Sequence, residues 1–145
     1  KGLCLALHKP LVPVSTMDVL ASALARERPD AGSVLVVLNA RQGDFYVSGF
    51  FIQGGLVRRV LDPQVLASAE LARTIREQDV AVVVTDDPRL LHTGAAECLP
   101  ASPRYRGDVV ALLGRDNVRA GRVADVREAE PVYLKDFVVK LQSRT

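Results

Sequence analysis

The chain has 145 residues, 48% of them hydrophobic, enough to bury one core and too few for a second domain of ordinary size, so one domain is expected over 1–145. The 19 Lys and Arg against 17 Asp and Glu leave a net charge of +2, too balanced to point by itself to a nucleic acid. No apolar run nears the ~20 residues that span a bilayer, the opening residues lack a signal-peptide core, and the 2 cysteines, Cys4 and Cys98, show no CxxC spacing; a cytoplasmic protein with reduced thiols is expected.

Lys1 to Ala6 reads as the tail of a helix, apolar at once and without a cap, so the chain is expected to begin inside an element. Leu11 to Val14 reads as extended, with Pro13 restricting it to a short or edge-like strand. Ser15 then opens a helix: its hydroxyl can cap the first turn, Asp18 stands at the acidic position of a capping box, and Leu20, Ala23 and Leu24 form the apolar stripe. Arg28 to Gly32 ends it.

Val34 to Ile52 organises the rest. Two apolar runs flank the polar knot Asn39-Ala40-Arg41-Gln42-Gly43-Asp44, a β-hairpin pattern with Gly43 at the strained position. Val34 to Leu38 is apolar at every position, as befits a central strand covered on both faces. After the Gly54-Gly55 turn, Leu56 to Leu61 completes an antiparallel meander, and Arg58 and Arg59 suit a sheet edge. Pro63 is expected to start an amphipathic helix carrying Val65, Ala69, Ala72 and Ile75 on one side and Glu70, Arg73 and Glu77 on the other. Val80 to Val84 is a second fully apolar strand, placed by that crossover as a parallel partner.

A short helix broken near Gly94 is expected over 88–99, a loop from Pro100 to Arg106, and a last helix from Asp108 to Ala120 that buries Val109, Leu112 and Leu113 and ends at Gly121. Pro131 to Lys135 reads as extended and Lys140 to Thr145 as frayed. The fold class is α/β: a mixed sheet with an antiparallel meander and flanking helices.

Intrinsic chemistry is sparse. His8 and His92 have no acid or thiol at metal-ligand spacing, and Ser15, Ser48 and the cysteines carry no nucleophile signature. Thr85-Asp86-Asp87 follows a buried strand, where carboxylates serve either as a magnesium or catalytic site or as a turn or helix cap before Pro88, and the cap needs fewer converging groups. Arg115, Arg119 and Arg122, with Arg104 and Arg106 upstream, could meet a phosphate backbone or form a solvated face. Gly54-Gly55 sits in a hairpin turn and not at a helix N-terminus, so no phosphate cradle is expected there.

Three blocks in order carry a resemblance. Lys1-Gly2-Leu3 through Pro10 with Val14 to Ala21 resembles the "KGLALAL-x-KP…GVSTLEALA" run of the TsaB (YeaZ-like) family. Asn39 to Tyr46 resembles its "DARRGEVY" hairpin, with Asn39 for the usual Asp and Asp44 for the usual Glu. Glu130 to Lys135 is similar to its closing "EPVYLR", with Lys135 for Arg.

The resemblance implies one lobe of the actin-like (ribonuclease H-like) ATPase superfamily: the C-terminal part of a TsaB-like protein, residues 1–30 being inter-lobe helices and 31–145 the C-terminal lobe. It implies a non-catalytic subunit of the machinery that makes threonylcarbamoyladenosine beside the tRNA anticodon. The expected partners are a TsaD-type catalytic subunit and a TsaE-type ATPase, with tRNA met through the complex and no membrane. A homodimer, or a rearranged N-terminus, is expected of this stretch on its own through the exposed stripe of Leu3, Leu5 and Leu7. Two alternatives stand beside it, a glycoprotease-like peptidase and a degenerate actin-like nucleotide-binding lobe. Where relatives carry a glycine-rich strand end, this chain has Thr85-Asp86-Asp87-Pro88, whose side chains would crowd a nucleotide. No catalytic, cofactor-binding or metal residue is therefore assigned.

Overall fold

The computed structural model describes residues 1–92 and 96–135, and its centre is the strand that the sequence marks as apolar throughout. β1 (Gly32–Asn39) pairs antiparallel with β2 (Asp44–Gln53), β2 pairs antiparallel with β3 (Leu56–Ala67), and β4 (Val82–Thr85) lies parallel to β1 on its other side. β5 (Glu97–Pro100) extends the sheet parallel to β4, giving the order β3-β2-β1-β4-β5. The side-chain period of two then sorts β1 into two cores. Val34 and Val36 face α2 (Thr16–Glu27) with Leu20, Leu24, Phe50 and Val84, while Leu35 and Val37 face α3 (Ser68–Glu77) with Val47, Leu71, Ile75 and Val83. Leu20 and Leu24 are fully buried, and truncating either to Ala should cost ~2–5 kcal/mol. α4 (Gly107–Arg119) lays Val109 against Val19 and Ala23 of α2.

β3 departs most from expectation. Pro63 does not start a helix; the strand runs through it to Ala67, and Val65 pairs with Tyr46. An edge strand tolerates proline where a central one does not, because its outer N–H need not join a ladder. Pro63 and Asp62 fall in an irregularity between the Val47–Gln64 and Gly49–Leu61 pairs, and a second lies between Gly49 and Phe50. The buried Ser48 hydroxyl donates to the Leu61 carbonyl at 2.8 Å, serving an acceptor beside the disturbed ladder. The helix begins only at Ser68, where the Glu70 carboxylate accepts from the Ala67 N–H at 3.1 Å.

Other differences are smaller. Ser15 is the N-cap of α2, but its hydroxyl makes no cap bond, and Asp18 turns instead to Arg59 at 2.5 Å. Leu11 to Val14 contributes only an isolated bridge, Leu11 with Ala124. The stretch read as a helix over 88–99 holds a 3-10 turn, Pro88–His92, and then β5; its expected break at Gly94 lies outside the described residues. Within the expected loop, Pro100 ends β5 and Ser102–Arg104 forms a 3-10 turn. α1 (Gly2–Ala6) leaves Leu3 78% and Leu7 62% exposed. Gly121, at φ 71°, follows α4 as expected, whereas Pro131 to Lys135 joins no strand and Lys140 to Thr145 lies outside the described residues.

Candidate functional site at the carboxyl edge of the sheet

β3, β1, β4 and β5 run parallel to one another, so their carboxyl ends share one edge of the sheet. The chain leaves β1 toward β2 and leaves β4 toward β5, and such a divergence opens a crevice where α/β folds bind ligands. Here the crevice is occupied by the protein's own side chains. The Thr85 hydroxyl accepts from the Asp87 N–H at 3.0 Å, and Asp86 Oδ1 accepts from the Asn39 N–H at 2.8 Å. Asp87, 2% exposed, accepts from Asn39 Nδ2 at 3.1 Å, from the Arg89 N–H at 2.9 Å and from the Arg89 guanidinium. The Arg89 guanidinium holds the Asp87 carboxyl down to about 2, although burial pushes the other way.

Of the two readings of Thr85-Asp86-Asp87, the geometry is that of a cap: the Asp87 carboxylate accepts the Arg89 N–H in the Pro88–His92 turn and, by accepting from Asn39 Nδ2 as well, ties that turn to β1. A phosphate at this edge would meet two carboxylates and no backbone cradle. Tyr105, half exposed beside it, has its phenol pushed up by burial and by the Asp86 charge.

The hairpin loop forms the neighbouring part of the edge. Arg41, Gln42 and Gly43 all adopt left-handed backbone, with φ of 62°, 56° and 85°. Only Gly43 is suited to this intrinsically. The two others are held by an Asx turn from Asn39 Oδ1 to the Arg41 N–H at 2.7 Å and by the Asp44 N–H on the Arg41 carbonyl at 3.1 Å. The Arg41 guanidinium has no partner among the described residues. Lys135 closes the arrangement: its ammonium lies 2.7 Å from Asp44 Oδ2 and 3.4 Å from the Ala40 and Arg41 carbonyls. Sequence reasoning missed this contact, since nothing local joins residues 91 positions apart. It also missed the role of Asn39, for which the Asx-turn pattern was a usable signal.

The remaining sequence candidates are dispersed. Arg104 is buried, bonded to Glu27 at 2.5 Å and to the Pro100 carbonyl at 2.7 Å, and so leaves the expected basic stripe. Arg106 pairs with Asp108 and Arg115 with Asp116, Arg122 donates to the neutral Asn117, and Arg119 has no partner among the described residues, so this face is only partly charge-paired. Ser48 is buried, and His8 ends the exposed N-terminal turn at φ 51°. Cys4 and Cys98 are not joined in a disulfide. Among the described residues no cluster of three or more His, Cys, Asp or Glu is placed to hold a metal, and no helix is long and apolar enough to cross a membrane.

No known family matches the sequence, and no curated protein does. Among solved structures, YeaZ from Pseudomonas aeruginosa is similar to the chain with a TM-score of 0.69 at 24% identity, over 92% of this chain and 63% of its own. The fold is that of YeaZ. A structure described as an uncharacterized protein with similarity to peptidase YeaZ from Pseudomonas aeruginosa gives a TM-score of 0.67 at 24% identity, again over 92% of this chain and 63% of its own. The chain thus spans less than two thirds of the length of either YeaZ-like structure. Within this YeaZ-like fold Asn39 and Asp87 suit each other. An Asp at position 39 would set a third carboxylate against Asp86 and Asp87, whereas the Asn amide supplies a donor.

Proposed function

We propose that this chain is the C-terminal part of a TsaB (YeaZ-like) protein, and that the protein is a non-catalytic subunit of the machinery that makes threonylcarbamoyladenosine beside the tRNA anticodon. The observation that carries this reading is the Asp44–Lys135 ion pair. The hairpin block and the closing block resemble the family separately, in segments 91 residues apart, and the fold brings them together at 2.7 Å. Both members differ from the family's usual Glu and Arg, yet their opposite charges are kept, as a shared contact requires. The carboxylate-filled edge supports a role as a partner and not as a nucleotide-driven one. In this reading the protein works in the cytoplasm with a TsaD-type catalytic subunit and a TsaE-type ATPase, and meets tRNA through them; a second copy of the chain docks on the stripe of Leu3, Leu5 and Leu7.

The test is reconstitution with the native protein that carries this chain, a TsaD-type subunit, a TsaE-type ATPase, tRNA and threonylcarbamoyl-adenylate, reading the modified nucleoside by mass spectrometry. Product should form with the full set and fall to background when the protein is left out. Equal product without it overturns the proposal, and hydrolysis of peptides by the protein alone would install the peptidase alternative instead.

A further inference from the structure

On the α3 side of the sheet, next to the hairpin loop, a cavity of about 340 Å³ opens between α3 and the Pro88–His92 turn. Its walls are Phe45, Leu71, Ile75 and Leu90, of which the first three are no more than 7% exposed. Ser68 also lines it, but its hydroxyl already donates to the Gly43 carbonyl at 2.9 Å. The charged groups on the lining are two guanidiniums, Arg76 in the last turn of α3 and Arg89. Among the described residues no acidic side chain lines the cavity. Arg89 engages Asp87 through Nε and Nη2, which leaves its Nη1 unused among the described residues, and Arg76 has no partner among them.

An apolar recess with cationic groups and no acid selects a particular chemistry. A cation is repelled, and a neutral hydrocarbon leaves the Arg76 guanidinium, the one of the two that Asp87 does not neutralise, without a counter-charge. A polyphosphate finds too few donors and too much apolar wall. We propose that this cavity binds a small amphipathic carboxylate, its hydrocarbon body against Phe45, Leu71, Ile75 and Leu90 and its carboxylate on Arg76 and the free edge of Arg89. Planar forked donors match a carboxylate better than an ammonium would. The volume, near the lower end of the ~300–1,000 Å³ of ligand pockets, suits a single small acid and excludes a folded peptide.

The experiment is calorimetric titration of the whole chain with octanoate, octan-1-ol and octylamine as probes of the head group. Octanoate should saturate one site below ~1 mM, with the alcohol and the amine at least about tenfold weaker. Arg76→Gln, at an exposed position clear of the core, should weaken octanoate about tenfold and leave octan-1-ol unchanged. Ala72→Trp, on the exposed side of the cavity lining, should abolish octanoate binding while the urea midpoint is kept. Equal affinity for octanoate and octan-1-ol overturns the proposal, as does no saturation by ~1 mM. Undiminished binding in Ala72→Trp would place the site elsewhere and overturn it too. If Ala72→Trp fails to fold, the Arg76→Gln comparison decides.

Discussion

Replacing Asp87 by Asn removes one negative charge from a buried side chain while keeping its size. In the native protein this carboxylate accepts from the Arg89 N–H, the Arg89 guanidinium and the Asn39 amide, at 2.9 to 3.1 Å for the bonds from Arg89 N, Arg89 Nε and Asn39 Nδ2. Hydrogen bonds to a charged partner contribute ~1.5–3 kcal/mol each and neutral ones ~1. The Arg89 side chain is 69% exposed, so its ion pair with Asp87 is discounted to ~0–1 kcal/mol. The amide of Asp87→Asn can still accept from the Arg89 N–H, leaving a net loss of about 2 kcal/mol, or roughly 6 °C in Tm.

The pH dependence is the sharper test. The folded pKa of about 2 lies below the ordinary 3.8, so the contribution is complete above 3.8 and is lost as pH falls toward 2. Urea unfolding followed by circular dichroism should therefore show a gap between the native protein and Asp87→Asn that is constant above about pH 5 and closes through that window. Titration of the other carboxylates, Asp108 included, is common to both proteins and cancels. A gap below ~0.5 kcal/mol, or one that does not change with pH, would refute the capping account of this edge.

Gly49→Ala would place a Cβ 2.8 Å from Leu61 Cβ and 3.4 Å from Leu35 Cδ2, atoms fixed by packing; a loss of ~1–3 kcal/mol in urea unfolding is expected, and an unchanged midpoint would mean that β3 slides freely. A Cβ at Gly43 meets no described atom within 4 Å, so Gly43→Val should cost mainly backbone strain, ~1–2 kcal/mol, read from the same midpoint. Arg41→Ala should stay within ~0.5 kcal/mol, because the loop is held by the Arg41 backbone and not by its side chain; a core-sized loss would contradict that. Lys135→Met should cost about 1 kcal/mol and speed amide exchange in the 40–43 loop, whereas unchanged exchange would show that the Asp44 contact does not hold the loop.

Hairpin, central strand, edge arginines and crossover order were all legible in the sequence, because each rests on local rules. Val34 to Leu38 reads as doubly buried from its composition alone, and the Gly54-Gly55 turn, with φ of 55° and 74°, follows from the only residue that enters left-handed backbone freely. The burial of Val109 is likewise a matter of spacing, whereas Leu112 and Leu113, expected on the same buried face, are only half-buried. Tertiary structure decided what local rules leave degenerate. Pro63 is as good a helix start as an edge-strand residue, and only the position of β3 at the margin of the sheet selects the strand. Glu97 to Pro100 has too short an apolar run to declare itself, and becomes β5 because β4 offers it an open edge. The candidate site lay furthest from view: Asn39 with Asp87 and Asp44 with Lys135 are polar residues whose partners are 48 and 91 positions away, so only the folded sheet brings their charges within hydrogen-bonding distance.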